Sequence, residues 1–270
     1  MLTDFGTQDE YVGVLKGVIL TINPLVTIID ITHHIAPQEI NQAGAILDAA
    51  FSWFPEGTIH LAIVDPGVGS ERDIIALHAR GHTFIAPNNG LLTTLLGDGQ
   101  PNAVVRVENK RLFRQPVSAT FHGRDIFAPV AAHLSLGMPL ETLGPTLGAD
   151  RICKCACARC EFTTNGDIIG QVIYVDRFGN LGTNIDTQSL EKLAGSSRET
   201  VIRTEICGHR IQGLAQNYSQ SGPGQLVALF NSRNRLEIAV NGGNAAQMVA
   251  ARPGTVVRIA AKKNLKDPGL

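Results

Sequence analysis

Three ionisable side chains, His122, Arg124 and Asp125, lie close together in the stretch TFHGRDIFAPVAAHL. His122 precedes a glycine, which leaves one side of its imidazole open to a ligand, although a lone loop histidine is more often a partly buried surface residue. Arg124 and Asp125 begin a segment, 125–137, with helical spacing, where an aspartate is favoured by the helix dipole. The stretch therefore predicts either a ligand-contacting histidine or an ordinary helix start.

A second charged pair follows an apolar run in IVDPGVGSER. Asp65 ends the run, and Arg72 lies beyond the turn Pro66–Gly69. An exposed pair of this kind contributes little to stability. Both residues stand at the edge of apolar strands, so we expect burial, and a buried charge requires a partner. A buried Asp–Arg pair beside a histidine could hold and polarise one water molecule.

Two acidic residues, Asp4 and Asp9, flank a glycine turn ahead of a helical segment. One interpretation is helix capping, since aspartate accepts hydrogen bonds from free N–H groups at a helix start. The other is a carboxylate that binds both hydroxyls of a ribose, as in dinucleotide-binding folds. No G-x-G-x-x-G phosphate loop accompanies the pair. A nucleoside therefore fits this segment better than a dinucleotide does.

The composition favours a globular protein with a small-molecule partner. The chain has 270 residues, 44% of them hydrophobic, and a net charge of −1. Its charges form no like-sign block, so neither a nucleic-acid footprint nor a polybasic membrane patch is predicted. No apolar stretch reaches the roughly 18 residues that span a bilayer, and no secretory signal opens the chain. We therefore expect a cytoplasmic protein without a nucleic-acid or membrane partner.

The first part of the chain alternates strand-like and helical segments, which predicts an α/β fold with a mostly parallel sheet covered on both faces. Short β-branched runs bounded by turn residues predict strands at 26–31, 58–65, 73–79 and 82–87. Helical spacing predicts helices at 10–22, 38–54 and 89–96. These segments form a predicted three-layer N-terminal catalytic domain, 1–150, whose ligand-binding loops follow the carboxyl ends of its strands.

The last hundred residues or so have a different sequence pattern, with short strand-like runs, glycine and asparagine turns and one helical segment near SLEKLAG. This pattern predicts a smaller C-terminal domain, 166–270, that forms an antiparallel β-barrel. The runs are 167–176, 199–208, 225–231, 235–240 and 255–261. A linker, 151–165, joins the two predicted domains.

Four of the five cysteines fall in the linker sequence CKCACARC, namely Cys153, Cys155, Cys157 and Cys160. Such a cluster is a candidate metal or redox site in a cytosolic protein. Its spacing, however, differs from the two separated CxxC pairs of a closed zinc site, and four ligands so close in sequence would strain a tetrahedron. The spacing favours an exposed, oxidation-prone linker over metal binding, and we predict no metal.

Six motifs, taken together, resemble one known family. LTDFGTQDEYVGVLKG, VDPGVGSER, APNNGLLT, TFHGRDIFAPVAAHL, YVDRFGNLGTNI and NSRNRLEIA occur in this order. They are similar to those of the S-adenosyl-L-methionine hydroxide adenosyltransferases, adenosine-forming hydrolases related to fluorinase and chlorinase. The resemblance covers residues from about 2 to about 260 and omits the cysteine-containing linker.

The resemblance implies an N-terminal α/β domain, a C-terminal β-barrel-like domain and a homotrimer with active sites between subunits. It also implies substitution at the 5′ carbon of S-adenosylmethionine by water or hydroxide, giving adenosine and L-methionine. No cofactor is implied, because the sulfonium already makes methionine a good leaving group. The protein would supply orientation and an activated, partly desolvated water.

The resemblance also implies roles for individual residues. The water-activating triad of the family falls on Asp65, Arg72 and His122, and hydrogen bonds from Arg72 and His122 would favour the hydroxide form of the water. The substrate-binding positions fall on Asp4 for the ribose, Asp9 and Asp176 for the methionine amine, Ser232 and Arg233 for its carboxylate, and Phe178 and Asn180 for adenine. Taken alone, DRFGN would be interpreted as a tight turn between strands.

Two other functions compete with hydrolysis. Halide transfer to the same carbon is disfavoured, because fluorinase has Tyr and Ser where this chain has Asp65 and Gly123, and an anionic Asp65 would repel a halide. Gln38 also stands where fluorinase has a Trp over its halide site, and an insertion near residues 79–82 is missing here. A non-catalytic S-adenosylmethionine or adenosine sensor, with the cysteine cluster as its switch, would bind without turnover.

Overall fold

The computed structural model describes residues 1–97, 99–155, 159–194 and 200–263. The chain folds as two compact units, Met1–Cys157 and Ala158–Leu270. The division between them falls inside the predicted linker, 151–165. Cys157 lies outside the described residues.

The N-terminal unit contains a five-stranded mixed sheet. Its strands are β1 (Leu2–Thr3), β2 (Ile59–Ile63), β3 (Ile74–Ala79), β4 (His82–Pro87) and β5 (Ala103–Arg106), in the order β1-β2-β4-β3-β5. β2 runs parallel to β1 and β4, whereas β3 is antiparallel to β4 and β5. The reversal follows from the two-residue turn Arg80-Gly81, whose positive φ angles of 51° and 77° suit a tight hairpin.

Helices cover both faces of this sheet, which confirms the predicted α/β class and its three layers. The helices are α1 (Tyr11–Ile22), α2 (Ile40–Ala50), α3 (Thr93–Leu96) and α4 (Ala128–Ser135). Because side chains alternate along a strand, Phe84 of β4 packs with α2 and α3. Its neighbour Ile85 points the other way and packs with α1 and α4.

The predicted strand 26–31 is not a regular strand, and this prediction was wrong. The segment runs beside β1, but the isolated parallel bridge there, between Leu2 and Thr32, lies one residue beyond it. Two hydrogen bonds with Met1 hold it in place, 2.7 Å from Ile31 N to Met1 O and 2.6 Å from Met1 N to Ile29 O. β1 is only two residues long, so a regular ladder has no partner along the rest of the segment.

The C-terminal unit is an antiparallel, barrel-like sheet, as predicted. Its strands are β6 (Glu161–Phe162), β7 (Ile168–Val175), β8 (Leu181–Asp186), β9 (Thr200–Ile206), β10 (His209–Gln212), β11 (Leu226–Phe230), β12 (Arg235–Val240) and β13 (Val256–Lys263). They follow the order β10-β9-β13-β7-β8-β12-β11, with β6 beside β7. The end strands β10 and β11 approach each other. Burial alternates strictly along β7, which places one face of the sheet in the interior.

Two further helices, α5 (Thr187–Ala194) and α6 (Ala245–Met248), accompany the barrel-like sheet. Over the four described ranges, no helix combines the length and the apolar character needed to cross a lipid bilayer.

Candidate active site

Asp65, Arg72 and His122 form one connected group in the N-terminal unit. Arg72 Nε donates to both Asp65 carboxylate oxygens, at 2.9 and 3.0 Å, and Arg72 Nη2 also donates to Oδ2. The same Nη2 lies 3.0 Å from Nδ1 of His122. The Asp65 and Arg72 side chains are only 6% and 12% exposed. The two opposite charges are therefore buried together, as a buried charge requires, and the His122 ring lies against the guanidinium of Arg72.

The contact with Arg72 determines which nitrogen of His122 holds the proton. A guanidinium can only donate hydrogen bonds, so Nδ1 must accept, and the neutral ring then has its proton on Nε2. Burial, and next the positive charge of Arg72, lower the pKa of His122, while Asp65 and Asp125 oppose the shift. His122 is therefore neutral near pH 7, and its Nε2–H is the group that can donate to a bound water.

A close backbone approach brings the Asp65 loop to the segment before His122. Asp65 follows the buried carboxyl end of β2. Gly69 has a φ of +80°, and a Cβ there would lie 2.3 Å from the carbonyl oxygen of Ala119. Only glycine permits this contact without strain. The turn VDPGVG thus does more than reverse the chain, because it fixes the spacing between Arg72 and His122.

Arg124 and Asp125 have a structural role that differs from simple helix capping. Asp125 is fully buried and accepts two hydrogen bonds from Arg124, at 2.7 and 2.9 Å, and one from Ser118 N at 2.8 Å. Burial acts to raise the pKa of Asp125, but these hydrogen bonds hold it below its usual value. A π-helical turn, Gly123–Phe127, precedes α4. The charged pair thereby anchors the chain on both sides of His122.

Asp4 follows β1 at the same sheet edge at which Asp65 follows β2. The register pairs Thr3 with Ile63 in parallel, so both carboxylates leave the sheet at neighbouring carboxyl ends. Asp4 is partly buried, and its Oδ2 accepts a hydrogen bond of 2.9 Å from Gln38 N. Asp9 is exposed. No side chain caps α1, whose N-cap residue is Glu10, so the capping interpretation of Asp4 and Asp9 is wrong.

Three aromatic residues that the sequence did not single out connect the Asp4 loop to the His122 loop. Ring centroids lie 6.2 Å apart between Phe5 and Phe121, 5.2 Å between Tyr11 and Phe121, and 5.9 Å between Phe5 and Tyr11, all edge to face. A Cβ at Gly123 would lie 3.4 Å from the Phe121 ring and 3.5 Å from the Phe5 ring, so the two rings close around this position. The two phenylalanines lie in the motifs LTDFG and TFHGRD, which mark both loops in the sequence. The spacing of residues along the chain does not predict, however, that the two loops pack together.

The turn DRFGN joins β7 to β8 and is built around Asp176. Asp176 Oδ1 accepts hydrogen bonds from the backbone N–H groups of Phe178 and Asn180, both at 2.9 Å, and Oδ2 accepts one from the Asn180 side chain at 3.1 Å. Gly179 has a φ of +86°. The tight-turn interpretation of this motif is therefore correct. The turn leaves Phe178 75% exposed, so its ring is open to stack on a planar ligand.

Ser232 and Arg233 are exposed in the turn between β11 and β12. The Arg233 guanidinium lies over the ring of Tyr174, 4.8 Å from its centroid. Tyr174 belongs to β7, and the DRFGN turn follows it directly. The contact therefore brings the two turns that contain Asp176 and Arg233 to the same end of the barrel-like sheet.

A polar network around the buried Glu237, which the sequence did not indicate, supports the Ser232–Arg233 turn. Asn231 accepts from Arg233 N at 2.9 Å and donates to Tyr174 OH at 2.8 Å and to Glu237 at 2.9 Å. Glu237 is 4% exposed and also accepts from Tyr218 OH at 2.8 Å. The motif NSRNRLE contains three of these polar residues, but their tertiary partners lie far away in sequence.

Four cysteines, Cys153, Cys155, Cys160 and Cys207, lie in the part of the chain that the structure describes. Cys153 and Cys207 are exposed, whereas Cys155 and Cys160 are half-buried. The Cys155 thiol donates to Asn89 O at 3.3 Å, and the Cys160 thiol lies 3.3 Å from Ser189 Oγ. Within the ranges that the structure covers, no group of three His, Cys, Asp or Glu side chains is arranged to hold a metal ion. The absence of a metal requirement stays a prediction.

The geometry and the motifs together identify the family. The model of the S-adenosyl-L-methionine hydroxide adenosyltransferase N-terminal domain matches residues 1–144, and the model of the C-terminal domain matches residues 170–258. The chain therefore belongs to the S-adenosyl-L-methionine hydroxide adenosyltransferase family.

Individual relatives agree over nearly the whole chain. An (R)-S-adenosyl-L-methionine hydrolase of Salinispora arenicola is 36% identical over 262 residues, which cover 96% of both chains. A fluorinase of Actinoplanes sp. is 30% identical and covers 96% of this chain and 95% of its own. A crystal structure of an uncharacterized conserved protein from Thermotoga maritima superposes with a TM-score of 0.88 at 38% identity, covering 96% of this chain and 98% of that one.

Proposed function

We propose that this protein hydrolyses S-adenosyl-L-methionine to adenosine and L-methionine by attack of water at the ribose 5′ carbon. The observation that carries the proposal is the buried Asp65–Arg72–His122 group, which offers donors to a water molecule beside an acceptor carboxylate. Relatives of similar length are named (R)-S-adenosyl-L-methionine hydrolases, which agrees with this reaction.

In the proposed reaction, the water oxygen forms a bond to the 5′ carbon while the bond from that carbon to the sulfonium sulfur breaks. The electron pair of the broken bond stays with sulfur, which gives neutral methionine, and one proton leaves the attacking water. Donation from Arg72 and from Nε2–H of His122 stabilises negative charge on the water oxygen. Asp65 orients Arg72 and is the nearest carboxylate of the group for the departing proton.

We assign the substrate-binding roles as the family motifs imply. Asp4 binds the ribose hydroxyls from the loop after β1, and its partial burial strengthens such hydrogen bonds. Phe178 is exposed enough to cover adenine, and Arg233 can bind the methionine carboxylate with two parallel hydrogen bonds. The remaining predicted contacts are Asn180 with adenine, Ser232 with the carboxylate, and Asp9 and Asp176 with the amine.

We further propose that the protein works as a cytoplasmic homotrimer and needs no metal or organic cofactor. The exposed positions of Phe178, Ser232 and Arg233 support a substrate site that a neighbouring subunit completes. The sulfonium leaving group removes the need for Lewis-acid assistance. Sedimentation of the purified protein tests the trimer directly.

The decisive experiment uses chelator-treated protein with each sulfonium epimer of S-adenosyl-L-methionine in oxygen-18 water. Mass spectrometry of the nucleoside should show adenosine with one heavy oxygen at the 5′ position, together with an equal amount of methionine. Heavy oxygen elsewhere, or a requirement for added metal, would contradict the mechanism. Binding without turnover of either epimer would favour the sensor, and a 5′-halogenated nucleoside formed in halide buffer would favour halide transfer.

A further inference from the structure

A row of polar groups, which we call the relay, runs from Asp30 at the surface through the buried His33 to the buried Thr3 and takes no part in the proposed chemistry. His33 is 3% exposed, and its Nδ1 lies 2.8 Å from the hydroxyl oxygen of Thr3, which is fully buried. On the other side of the ring, Nε2 lies 3.1 Å from Asp30 Oδ1, which is an ion-pair distance without the geometry of a hydrogen bond. Asp30 in turn accepts a hydrogen bond of 2.6 Å from Lys16. A histidine is thus held between a carboxylate and a threonine hydroxyl.

This order of groups resembles a nucleophilic triad, but burial excludes that role. Thr3 has no accessible surface, so no substrate carbon can reach its hydroxyl. The hydroxyl oxygen is also engaged by the backbone, because Phe5 N donates to it at 3.2 Å. The relay therefore ends in the main chain of the loop and not in solvent or ligand.

The surroundings of His33 favour one arrangement of protons when the ring is neutral. The nearby Asp30 carboxylate carries no proton to donate, which favours the ring proton on Nε2, and Nδ1 then accepts the Thr3 hydroxyl proton. The Thr3 oxygen keeps its lone pairs for Phe5 N. Burial is the largest cause that lowers the pKa of His33, which favours this neutral form. The contact between Thr3 and His33 therefore has a defined direction of donation, from the hydroxyl to the ring.

The atoms at the end of the relay flank Asp4. Phe5 N is the next backbone amide after Asp4, and Gly6 N donates to His33 O at 2.7 Å. On its other side, the Asp4 carboxylate accepts from Gln38 N at 2.9 Å. The backbone on which Asp4 stands is thus tied to His33 through both the ring and the carbonyl of that residue.

We infer that Thr3, His33 and Asp30 are positioning residues, which hold the Asp4 carboxylate in the direction that binds the ribose hydroxyls. The inference rests on the proposed role of Asp4 and extends it to three residues that do not touch substrate. Its consequence is selective: damage to the relay should weaken recognition of the ribose diol and leave recognition of the base intact.

Calorimetric titration with adenosine and with 2′,3′-dideoxyadenosine tests this selectivity without requiring turnover. Thr3→Val keeps the side-chain shape and removes the hydroxyl. We expect adenosine affinity to fall about tenfold, the scale of one lost charge-assisted hydrogen bond, with dideoxyadenosine affinity unchanged. Thr3→Ser should restore adenosine binding. Thr32→Val is the matched control, because its hydroxyl accepts from His34 N, two residues further along the chain.

Asp30→Ala provides a second route to the same result, since this residue lies at the surface and its loss should not prevent folding. We expect a smaller loss, about threefold, again confined to adenosine. In hydrolysis, the same variants should raise KM more than they lower kcat. If Thr3→Val and Asp30→Ala bind both nucleosides as the wild type does, the relay does not position Asp4. If the wild type itself shows no preference for adenosine, the ribose role of Asp4 fails, and the inference fails with it.

Discussion

Replacing Arg72 by Leu should damage both stability and turnover, and the two effects can be separated. The Asp65 side chain is 6% exposed, and its three hydrogen bonds from Arg72 disappear in the variant. Removing one partner of a buried ion pair costs about 3–5 kcal/mol, because the other charge stays buried and unpaired. Turnover should fall by about two to four orders of magnitude, the scale of positioned acid–base groups.

The double variant Asp65→Asn/Arg72→Leu is the matched control. It removes the unpaired charge, so most of the lost unfolding free energy should return while turnover stays low. Urea unfolding followed by circular dichroism measures the first quantity, and adenosine release measures the second. An Arg72→Leu protein within about 1 kcal/mol of the wild type would refute the buried-pair reasoning. Turnover within about tenfold of the wild type would refute the catalytic role of Arg72.

Three further predictions concern acid sensitivity and loop geometry. His60 is buried beside His82, and burial, followed by the charge of His82, lowers its pKa to about 4. As the pH falls, the unfolded state takes up a proton near pH 6.5, whereas the folded state does so only near pH 4. The free energy of unfolding should therefore decrease by about 3 kcal/mol between these two pH values. Unfolding of His60→Phe at pH 7 and 4.5 should show a flatter dependence. Gly69→Ala should lower kcat about tenfold or more through its backbone clash, whereas Gly57→Ala, at a similar positive φ with open space, should not. The acid limb of kcat/KM should lie below pH 6.5, because the pKa of His122 is lowered, and should vanish in His122→Gln.

The strands of both units were predictable where burial alternates or runs continuously, as in β3 and β7. The strand order was not, because pairing joins segments far apart in sequence and depends on which faces pack together. β5 was missed, since four residues, AVVR, give too short a pattern. The false strand at 26–31 has the right residue types, but a two-residue neighbour cannot support a ladder along it.

For the site, the sequence indicated which residue types follow the strand ends, and the structure brings Asp65, Arg72 and His122 into contact. What the sequence did not contain is the support around them. The contact between Thr3 and His33 joins residues 30 positions apart, and neither residue type is unusual where it stands. Local spacing reports the faces of helices and strands, whereas such contacts depend on how loops pack after the sheet has formed.

The hydrogen-bond inventory of Asp65 bears on the choice between water and halide in the proposed reaction. A carboxylate offers about four acceptor sites, and Arg72 occupies three of them. The site that is left needs a donor. Water can donate to Asp65 while it accepts from His122 and Arg72, but a halide has no proton to donate and would meet the carboxylate as a like charge. A nucleophile that both donates and accepts therefore fits this group, and a simple anion does not.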